Sequence, residues 1–347
     1  MTPRPVLLSP HHDAEPWETG QQVAEQATRL DPTAAGISAA VAWAPRLAAL
    51  APLPGAGSTW LRWELLATVG AADLTVARAV EPHLDAVAIL VEAGLPAPEG
   101  ATLGVYAAEG SGMRVQAERR PDGGWVLRGA KPWCSLAGAL SHALVTAWVD
   151  DERRGLFCVD LGAPGVRPAP GTWAPTGLQA VPSTGIELDD APATPVGGPQ
   201  WYLERPGFAW GGLGVAAVWF GGAVGVARRL LEQAHRREPD QLALMHLGAV
   251  DTALHAARTA LAEAADAVDV GESHPGLLAA RVRSVVAGAV EQVLASAAHA
   301  LGPAPLTQEP AHARRVADLA LYVRQHHAER DHVATGRMLV EAGSAPW

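Results

Sequence analysis

The stretch RGAKPWCSLAGAL, residues 128–140, brings an unusual set of side chains together in a chain rich in Ala and Gly. It holds the only lysine of the 347 residues, Lys131, and within the next four positions Trp133, Cys134 and Ser135. The preceding segments MRVQAER, PDGG and WVLRGAK are typical of two strands joined by a tight turn. The sequence therefore places these side chains at the end of a β-strand.

This hairpin belongs to a longer run of short strand patterns that begins after the boundary segment PAPEG. HALVTAWV and GLFCVDL, separated by DDERR, predict a second hairpin, and PSTGIELDD predicts a further strand. We therefore expect residues 101–203 to form a middle β domain with the architecture of a small antiparallel barrel or sandwich.

Helical patterns flank the β region on both sides. Residues 1–100 predict an N-terminal α-helical domain, broken near Asp31 and Pro32. Residues 204–347 predict an antiparallel four-helix bundle, because long helical patterns follow one another with short connections. Its four predicted helices cover 207–237, 240–270, 275–301 and 310–340. The predicted fold class is α+β, with three domains in the order α, β, α.

The amino-acid composition limits the classes of protein to which this chain can belong. A hydrophobic content of 49% in 347 residues is enough to bury a large core. The 26 Lys+Arg against 36 Asp+Glu give a net charge of −10, which argues against a nucleic-acid partner. Two cysteines and an N-terminal segment without signal-peptide features indicate a cytoplasmic protein without a disulfide framework.

One apolar stretch, FAWGGLGVAAVWFGGAVGVA at 208–227, is about as long as a membrane-spanning helix. Its many glycines dilute the hydrophobicity and allow close contact with neighbouring helices. A helix that is apolar on every side is either a core helix or a span, and here the composition favours the core helix. We therefore expect no membrane partner.

The order of elements and the residues at their boundaries resemble the acyl-CoA dehydrogenase family, over about residues 61–331. The motifs that carry the resemblance are LLATVGAADLTVARAVEPHLDA, GVYAAEGSG, GWVLRGAKPWCSLAGA, LFCVDLGAPGVR and TGLQAVPSTGIELDDAPA. The family has an N-terminal helical domain, a middle β domain and a C-terminal four-helix bundle, with FAD between the last two. The resemblance implies FAD as cofactor, a homodimer or homotetramer, and an acyl thioester as substrate.

The resemblance also implies roles for the opening stretch. The family has a Lys-x-Trp motif whose tryptophan packs against the flavin and whose hydroxyl residue two positions later bonds near N5. Carried over, Trp133 is the stacking residue, Ser135 supplies the hydroxyl, and Cys134 lies between them in the flavin-contacting segment. An aromatic wall that excludes water and a donor near N5 suit hydride transfer to a flavin. Lys131 is interpreted as a structural cation.

Two further flavin contacts follow from the resemblance. The backbone around Tyr106, Ala107 and Ala108 is expected to face the flavin, and Ala108 stands where the family usually has a threonine. In HRREPDQLAL the family's Arg-x-Phe-Gly-x-Pro motif has lost its Phe and Gly. Arg237 or Arg236 is the remaining candidate for the cation that reaches the flavin pyrophosphate of a neighbouring subunit.

The sequence departs from the family at the catalytic base. Family dehydrogenases use a C-terminal glutamate to remove an α-proton, whereas this chain reads ADLALYVRQHHAERD. Alignment on Asp318 places His326 at the glutamate's position, and alignment on Pro310 places Gln325 there. Neither residue is a carboxylate. The substitutes to consider are Glu329, Glu263 and Glu291.

Three functions therefore compete. The first is α,β-dehydrogenation of an acyl thioester with an atypical or missing base. The second is flavin-dependent monooxygenation, in which relatives of the family present a bundle histidine near the flavin, here His326 or His327. The third is a catalytically silent subunit that binds FAD or an acyl ligand. The histidine cluster HHAERDH is interpreted as a helix surface, so no metal is expected.

Overall fold

The N-terminal part of the chain is helical, as predicted. The structure, a computed structural model, describes residues 3–8 and 14–343. The first four helices are α1 Ala14–Arg29, α2 Ile37–Leu50, α3 Thr59–Ala72 and α4 Leu74–Glu92. The break near Asp31 separates α1 from α2. The Asp73 carboxylate accepts hydrogen bonds from the backbone N–H groups of Thr75 and Val76, which fixes the start of α4.

Seven strands form one sheet in the middle of the chain. They are β1 Leu103–Tyr106, β2 Val115–Arg119, β3 Trp125–Lys131, β4 His142–Trp148, β5 Arg154–Asp160, β6 Val166–Pro168 and β7 Ile186–Val196. The two predicted hairpins are confirmed as the antiparallel pairs β2–β3 and β4–β5. The sheet closes on itself, because β4 pairs with both β2 and β5 while β3 and β5 both pair with β7.

The prediction of an antiparallel sheet is wrong at β4, whose pairings with β1 and β2 are both parallel. Strand β1 runs parallel to β4, with Leu103 opposite His142 and Tyr106 opposite Val145. A parallel pair requires a long crossover between its strands, and here the β2–β3 hairpin supplies that crossover. The consequence matters for the site, because β1 ends beside the segment that follows β3.

The C-terminal part contains the predicted long helices, with one correction. Its elements are α5 Trp201–Glu204, α6 Pro206–Arg236, α7 Gln241–Val270, α8 Pro275–Leu301, α9 Ala304–Gln308, α10 Pro310–Tyr322, a 3-10 turn Val323–Gln325 and α11 Glu329–Ala342. The predicted continuous helix over 310–340 is wrong, because the chain leaves the helix between 323 and 328. His326 is extended and Ala328 has a positive φ of 49°. No proline or glycine marks this break in the sequence.

The apolar helix α6 is a core element. Two glycines bring it against α3: a Cβ at Gly221 would lie 2.0 Å from the Ala67 carbonyl oxygen, and a Cβ at Gly70 would lie 2.6 Å from that of Val218. By length and composition, α6 and α8 are the helices of the described ranges that are apolar enough to cross a membrane. The apolar stretch of α6 is 67% buried within the protein, and that of α8 is 39% buried.

One buried carboxylate ties three parts of the chain together. Asp318 of α10 accepts a hydrogen bond from the backbone N–H of Leu178, 2.6 Å away in the β region, and another from the Thr75 hydroxyl at 2.9 Å. Asp318 is almost fully buried, and burial raises its pKa despite these hydrogen bonds. The contact holds the β region against α4 and α10. We call the boundary between the β region and these helices the seam.

Candidate functional site

The segment that follows β3 presents Trp133 to the outside of the seam. Its indole is 62% exposed, and its backbone lies in the left-handed region with φ of 58°. The left-handed conformation costs a non-glycine residue free energy, so contacts with the surrounding structure must stabilise it. The backbone N–H of Cys134 donates to the Thr184 carbonyl at 2.8 Å, and that of Leu136 donates to the Pro182 carbonyl at 2.8 Å. The exposed ring is therefore mounted on a fixed backbone.

Ser135 is buried and its hydroxyl is engaged within the protein. Arg78 Nη2 donates to Ser135 Oγ at 2.9 Å, and Ser135 Oγ lies 2.8 Å from Ser183 Oγ. Ser183 Oγ donates in turn to the Val181 carbonyl at 3.0 Å. Since the Ser183 proton is used there, Ser135 donates to Ser183 and accepts from Arg78. The bond from Ser135 to a flavin, which the resemblance implies, stays a prediction, and within the protein Ser135 holds an arginine in place.

The end of β1 packs against the same segment. The Tyr106 hydroxyl donates to the Ser135 carbonyl at 3.0 Å, and the Tyr106 ring is buried. Ala107 is partly buried, and its carbonyl accepts a 3.4 Å hydrogen bond from Thr146. Ala108 is exposed. The structure thus brings Tyr106 and Ser135 into contact, and the flavin-facing role of residues 106–108 stays a prediction.

Lys131 is a buried structural cation, as its position in the motif predicts. It is 2% exposed, and its Nζ lies 2.8 Å from Glu109 Oε1 and 2.8 Å from Thr146 Oγ1. Burial lowers the pKa of the lysine, and Glu109 opposes that shift. The ammonium group joins β3 and β4 to the loop after β1.

Replacing Lys131 with methionine is expected to destabilise the protein by about 1–3 kcal/mol, because Glu109 and Thr146 lose their buried donor. Urea unfolding measures this change. The matched control is Arg128→Met on the same strand, since the exposed pairs of Arg128 with Glu118 and Asp190 contribute at most about 1 kcal/mol. Equal midpoints for the two variants would contradict the role given to Lys131.

Behind Ser135 lies a cluster of buried charges on α4 that the sequence did not reveal. Arg78 lies 3.7 Å from Glu81 Oε2, and the Tyr322 hydroxyl of α10 lies 3.5 Å from the same oxygen. Glu81 is 7% exposed. Burial raises its pKa to about 7, with Arg78 acting in the opposite direction. A carboxyl group that exchanges its proton near neutrality is a candidate acid–base group.

The cluster continues one turn further along α4. Asp85 is partly buried, and loss of solvation raises its pKa although Arg205 and Arg62 oppose the shift. Burial lowers the pKa of Arg62, whose Nη1 donates to the Pro52 carbonyl at 3.1 Å. Arg78, Glu81 and Asp85 recur at helical spacing and share one face of α4. The sequence shows that spacing, but a charged helix face normally contacts water. Only the packing of α10 and α3 against α4 shows that this face is withdrawn from water.

The C-terminal candidates separate from one another at the break after α10. His326 is buried, with Nε2 3.2 Å from Ser284 Oγ and 3.7 Å from Asp331 Oδ2. Gln325 is exposed, although its carbonyl accepts a hydrogen bond from Arg283 at 3.1 Å. His327 is exposed. Of these three residues, only His326 projects into the protein.

Arg283 links this region to the α4 cluster. Its side chain lies 4.7 Å from the centre of the Trp219 ring, and Tyr322 and Glu81 act electrostatically on it. Arg283 therefore contacts the backbone beside His326 and acts on Glu81 through its charge, without a direct contact between the two side chains.

The remaining sequence candidates lie on exposed surfaces. Glu329 and Glu263 are exposed, and Glu291 forms an ion pair with Arg324. Arg237 is exposed at the C-terminal end of α6. Arg236 pairs with Glu232 on the same helix. A role for these residues in the functional site stays a prediction. Within the described ranges, no group of three or more His, Cys, Asp and Glu residues is arranged to hold a metal ion.

The residues around Trp133 fit a planar aromatic group. A large indole that is mostly exposed on a rigid backbone leaves apolar area in need of a partner. The end of β1, which contacts this segment through Tyr106, continues into the small side chains of Ala107 and Ala108. These features agree with the flavin position that the resemblance implies.

Comparison with known proteins shows the fold. No family model and no curated protein matches the sequence. KijD3, solved in complex with FMN and dTDP-3-amino-2,3,6-trideoxy-4-keto-3-methyl-D-glucose, is similar with a TM-score of 0.79 and 18% identity, over 97% of this chain and 96% of that one. Butyryl-CoA dehydrogenase from Megasphaera elsdenii is similar with a TM-score of 0.74 and 19% identity, over 82% of each chain.

A third similar structure is the nitrososynthase from Micromonospora carbonacea var. africana. It matches with a TM-score of 0.73 and 19% identity, over 97% of this chain and 99% of that one. The likenesses confirm the predicted resemblance to the acyl-CoA dehydrogenase fold, which dehydrogenases share with other enzymes.

Proposed function

We propose that this chain, which has the acyl-CoA dehydrogenase fold, is a flavin-dependent monooxygenase acting on a polar small molecule. The observation that carries the proposal is the buried charged cluster of Arg78, Glu81 and Tyr322 directly behind Ser135. An acyl chain entering there would contact a guanidinium and a carboxyl group instead of an apolar wall, and such contact would leave those groups without polar partners. A polar substrate could satisfy them.

Each residue of the site has a role in this proposal. Trp133 forms one wall of the cofactor site and excludes water from it. Ser135 positions Arg78, whose remaining N–H groups orient a substrate oxygen or phosphate. Glu81 holds or releases a proton near neutral pH. A bound flavin would supply the redox chemistry, which no side chain of this cluster can perform.

The form of the flavin is a separate question. The family resemblance implies FAD, whereas the KijD3 structure contains FMN. In this chain the motif that would reach a flavin pyrophosphate is degraded, and Arg237 at the end of α6 is exposed. Mass spectrometry of the cofactor released from purified protein distinguishes the two forms.

Dehydrogenation of an acyl thioester is the second candidate, and one observation favours it. Glu81 is a buried carboxyl group with a pKa of about 7, which suits removal of a weakly acidic α-proton. Against this candidate, the position expected for the family's glutamate holds His326 or Gln325. His326 contacts Ser284 and Asp331, and Gln325 is exposed.

Two measurements test these proposals in sequence. The absorbance spectrum of the protein as isolated should show a bound flavin, and protein that neither contains nor takes up flavin would support a silent, cofactor-free subunit. The reduced holoprotein should then consume oxygen and hydroxylate a polar substrate such as an amino sugar nucleotide. Rapid anaerobic bleaching by a member of an acyl-CoA panel would instead establish the dehydrogenase. The homodimeric or homotetrameric state and the cytoplasmic location remain predictions.

A further inference from the structure

A hollow of about 400 Å³ lies away from the Trp133 segment and from the charged cluster behind Ser135. It is formed where the N-terminal segment and α1 meet the end of α3, the second half of α6 and the start of α10. It shares no lining residue with the Trp133 segment or with the cluster behind Ser135. Its cationic lining residues are Arg4, Arg228, Arg229 and Arg315, and His312 lies among them with a pKa that burial lowers.

The acidic residues of the hollow neutralise one of these cations, Arg229, and not the other three arginines. Glu309 is held by Arg229, with two N–O distances of 2.7 Å, and Glu232 is held by Arg236 outside the hollow. The remaining guanidinium groups, those of Arg4, Arg228 and Arg315, have no carboxylate within ion-pair distance in the part of the chain that the structure describes.

Backbone carbonyls fix two of the free guanidinium groups. Arg228 donates to the carbonyls of Arg4 at 2.9 Å and Pro5 at 2.8 Å, and Arg315 donates to the carbonyl of Ala72 at 3.1 Å. Burial lowers the pKa of Arg228, and the positive charges of Arg4 and Arg315 lower it further. Like charges are thus held together at an electrostatic cost that a bound anion would offset.

Two buried nitrogen atoms in the hollow have no hydrogen-bond partner. They are Nδ1 of His312, whose side chain is 5% exposed, and Nε of Arg315. Gly225 of α6 leaves room for the arginine, since a Cβ there would lie 2.8 Å from Arg315 Nε. Buried polar atoms in native structures normally have partners, so these two add to the excess of hydrogen-bond donors and positive charge in the wall of the hollow.

We propose that this hollow binds the phosphate groups of a small phosphorylated molecule. Guanidinium groups match phosphate geometry in paired hydrogen bonds, and the 13-residue helix α10 begins in the hollow at Pro310 and adds the positive end of its dipole. The proposal is independent of the flavin chemistry, because it concerns other residues and can be tested on protein without cofactor.

Calorimetric titration of the full chain with inorganic pyrophosphate tests the proposal. We expect saturable binding with one site per chain. Arg315→Gln should weaken that binding about tenfold, by removing a charge-assisted hydrogen bond. Thr28→Glu is the second variant, because Thr28 is an exposed lining residue and its substitution puts a negative charge in the hollow without touching the core. It should also weaken binding about tenfold.

The matched control is Arg29→Ala, which removes an exposed arginine next to Thr28 that does not line the hollow. Its affinity for pyrophosphate should stay within twofold of the original. Absence of pyrophosphate binding would overturn the proposal, as would equal weakening in Arg29→Ala and Thr28→Glu. Acetate that binds as tightly as pyrophosphate at matched ionic strength would also overturn it, since the site would then select charge alone.

Discussion

Replacing Glu81 with glutamine is expected to lower kcat by about two orders of magnitude or more while the flavin content stays unchanged. Glutamine keeps the size of the side chain and its place beside Arg78 but cannot exchange a proton, and proton transfer by a positioned side chain contributes about 10²–10⁴ in rate. The measurement is whichever turnover the original protein shows, oxygen-dependent hydroxylation or bleaching by acyl-CoA.

Asp85→Asn is the matched control for this prediction. Asp85 is a partly buried carboxyl group on the same helix, one turn further from Ser135, and loss of solvation raises its pKa as it does that of Glu81. If the loss of turnover reflects disturbed packing, both variants lose activity together. If Glu81 transfers a proton, only Glu81→Gln loses the rate while both retain flavin.

The pH dependence of stability provides a second readout for Glu81→Gln. Burial raises the pKa of Glu81 from 4.5 to about 7, so between these values the folded protein retains a proton that the unfolded chain releases. The free energy of unfolding therefore falls as pH rises through this window, by about 3 kcal/mol in total. Glutamine does not titrate, so the variant should gain that amount relative to the original protein between pH 4.5 and 7. A constant difference across the window would contradict the shifted pKa.

The sequence was informative where local pattern and chemistry coincide. The turn PDGG and the alternating strands around it predicted the β2–β3 hairpin, and the position of Lys131 at the strand end predicted its structural role. Glycines within an apolar helix predicted close helix contact, which Gly221 makes with α3. These features depend on a few neighbouring residues, so one sequence is enough to show them.

The features that the sequence did not predict depend on packing between segments that are distant in the chain. Glu81 and Asp85 look like a solvated helix face until α10 and α3 cover them. The break at Ala328 has no proline or glycine to signal it, and the inward turn of His326 onto Ser284 is visible only in three dimensions. The partner of Ser135 is likewise an arginine 57 positions earlier in the chain. Such long-range contacts determine which of these groups are buried, and periodicity carries no information about them.

Replacing Trp133 with alanine is expected to weaken flavin binding by between about tenfold and a hundredfold, the loss of one stacked aromatic surface. Titration of the cofactor-free protein with FMN and with FAD, followed by flavin fluorescence, measures the change. Trp17→Ala is the control, because Trp17 is 43% exposed on α1 and belongs to no part of the site. A flavin content equal to that of the original protein in Trp133→Ala would remove Trp133 from the cofactor site.

Trp133→Gly separates binding from folding at the same position. The backbone φ of 58° costs a side-chain-bearing residue about 1–2 kcal/mol, and glycine adopts this conformation without that cost. The alanine and glycine variants lose the same indole packing, but only alanine keeps the backbone strain. Glycine should therefore exceed the alanine variant in the urea midpoint of the cofactor-free form, while its flavin affinity falls at least as far as that of the alanine variant. A tryptophan held in a strained conformation that the fold does not need is expected to serve flavin binding. A Trp133→Gly variant that loses stability without losing flavin would contradict this expectation.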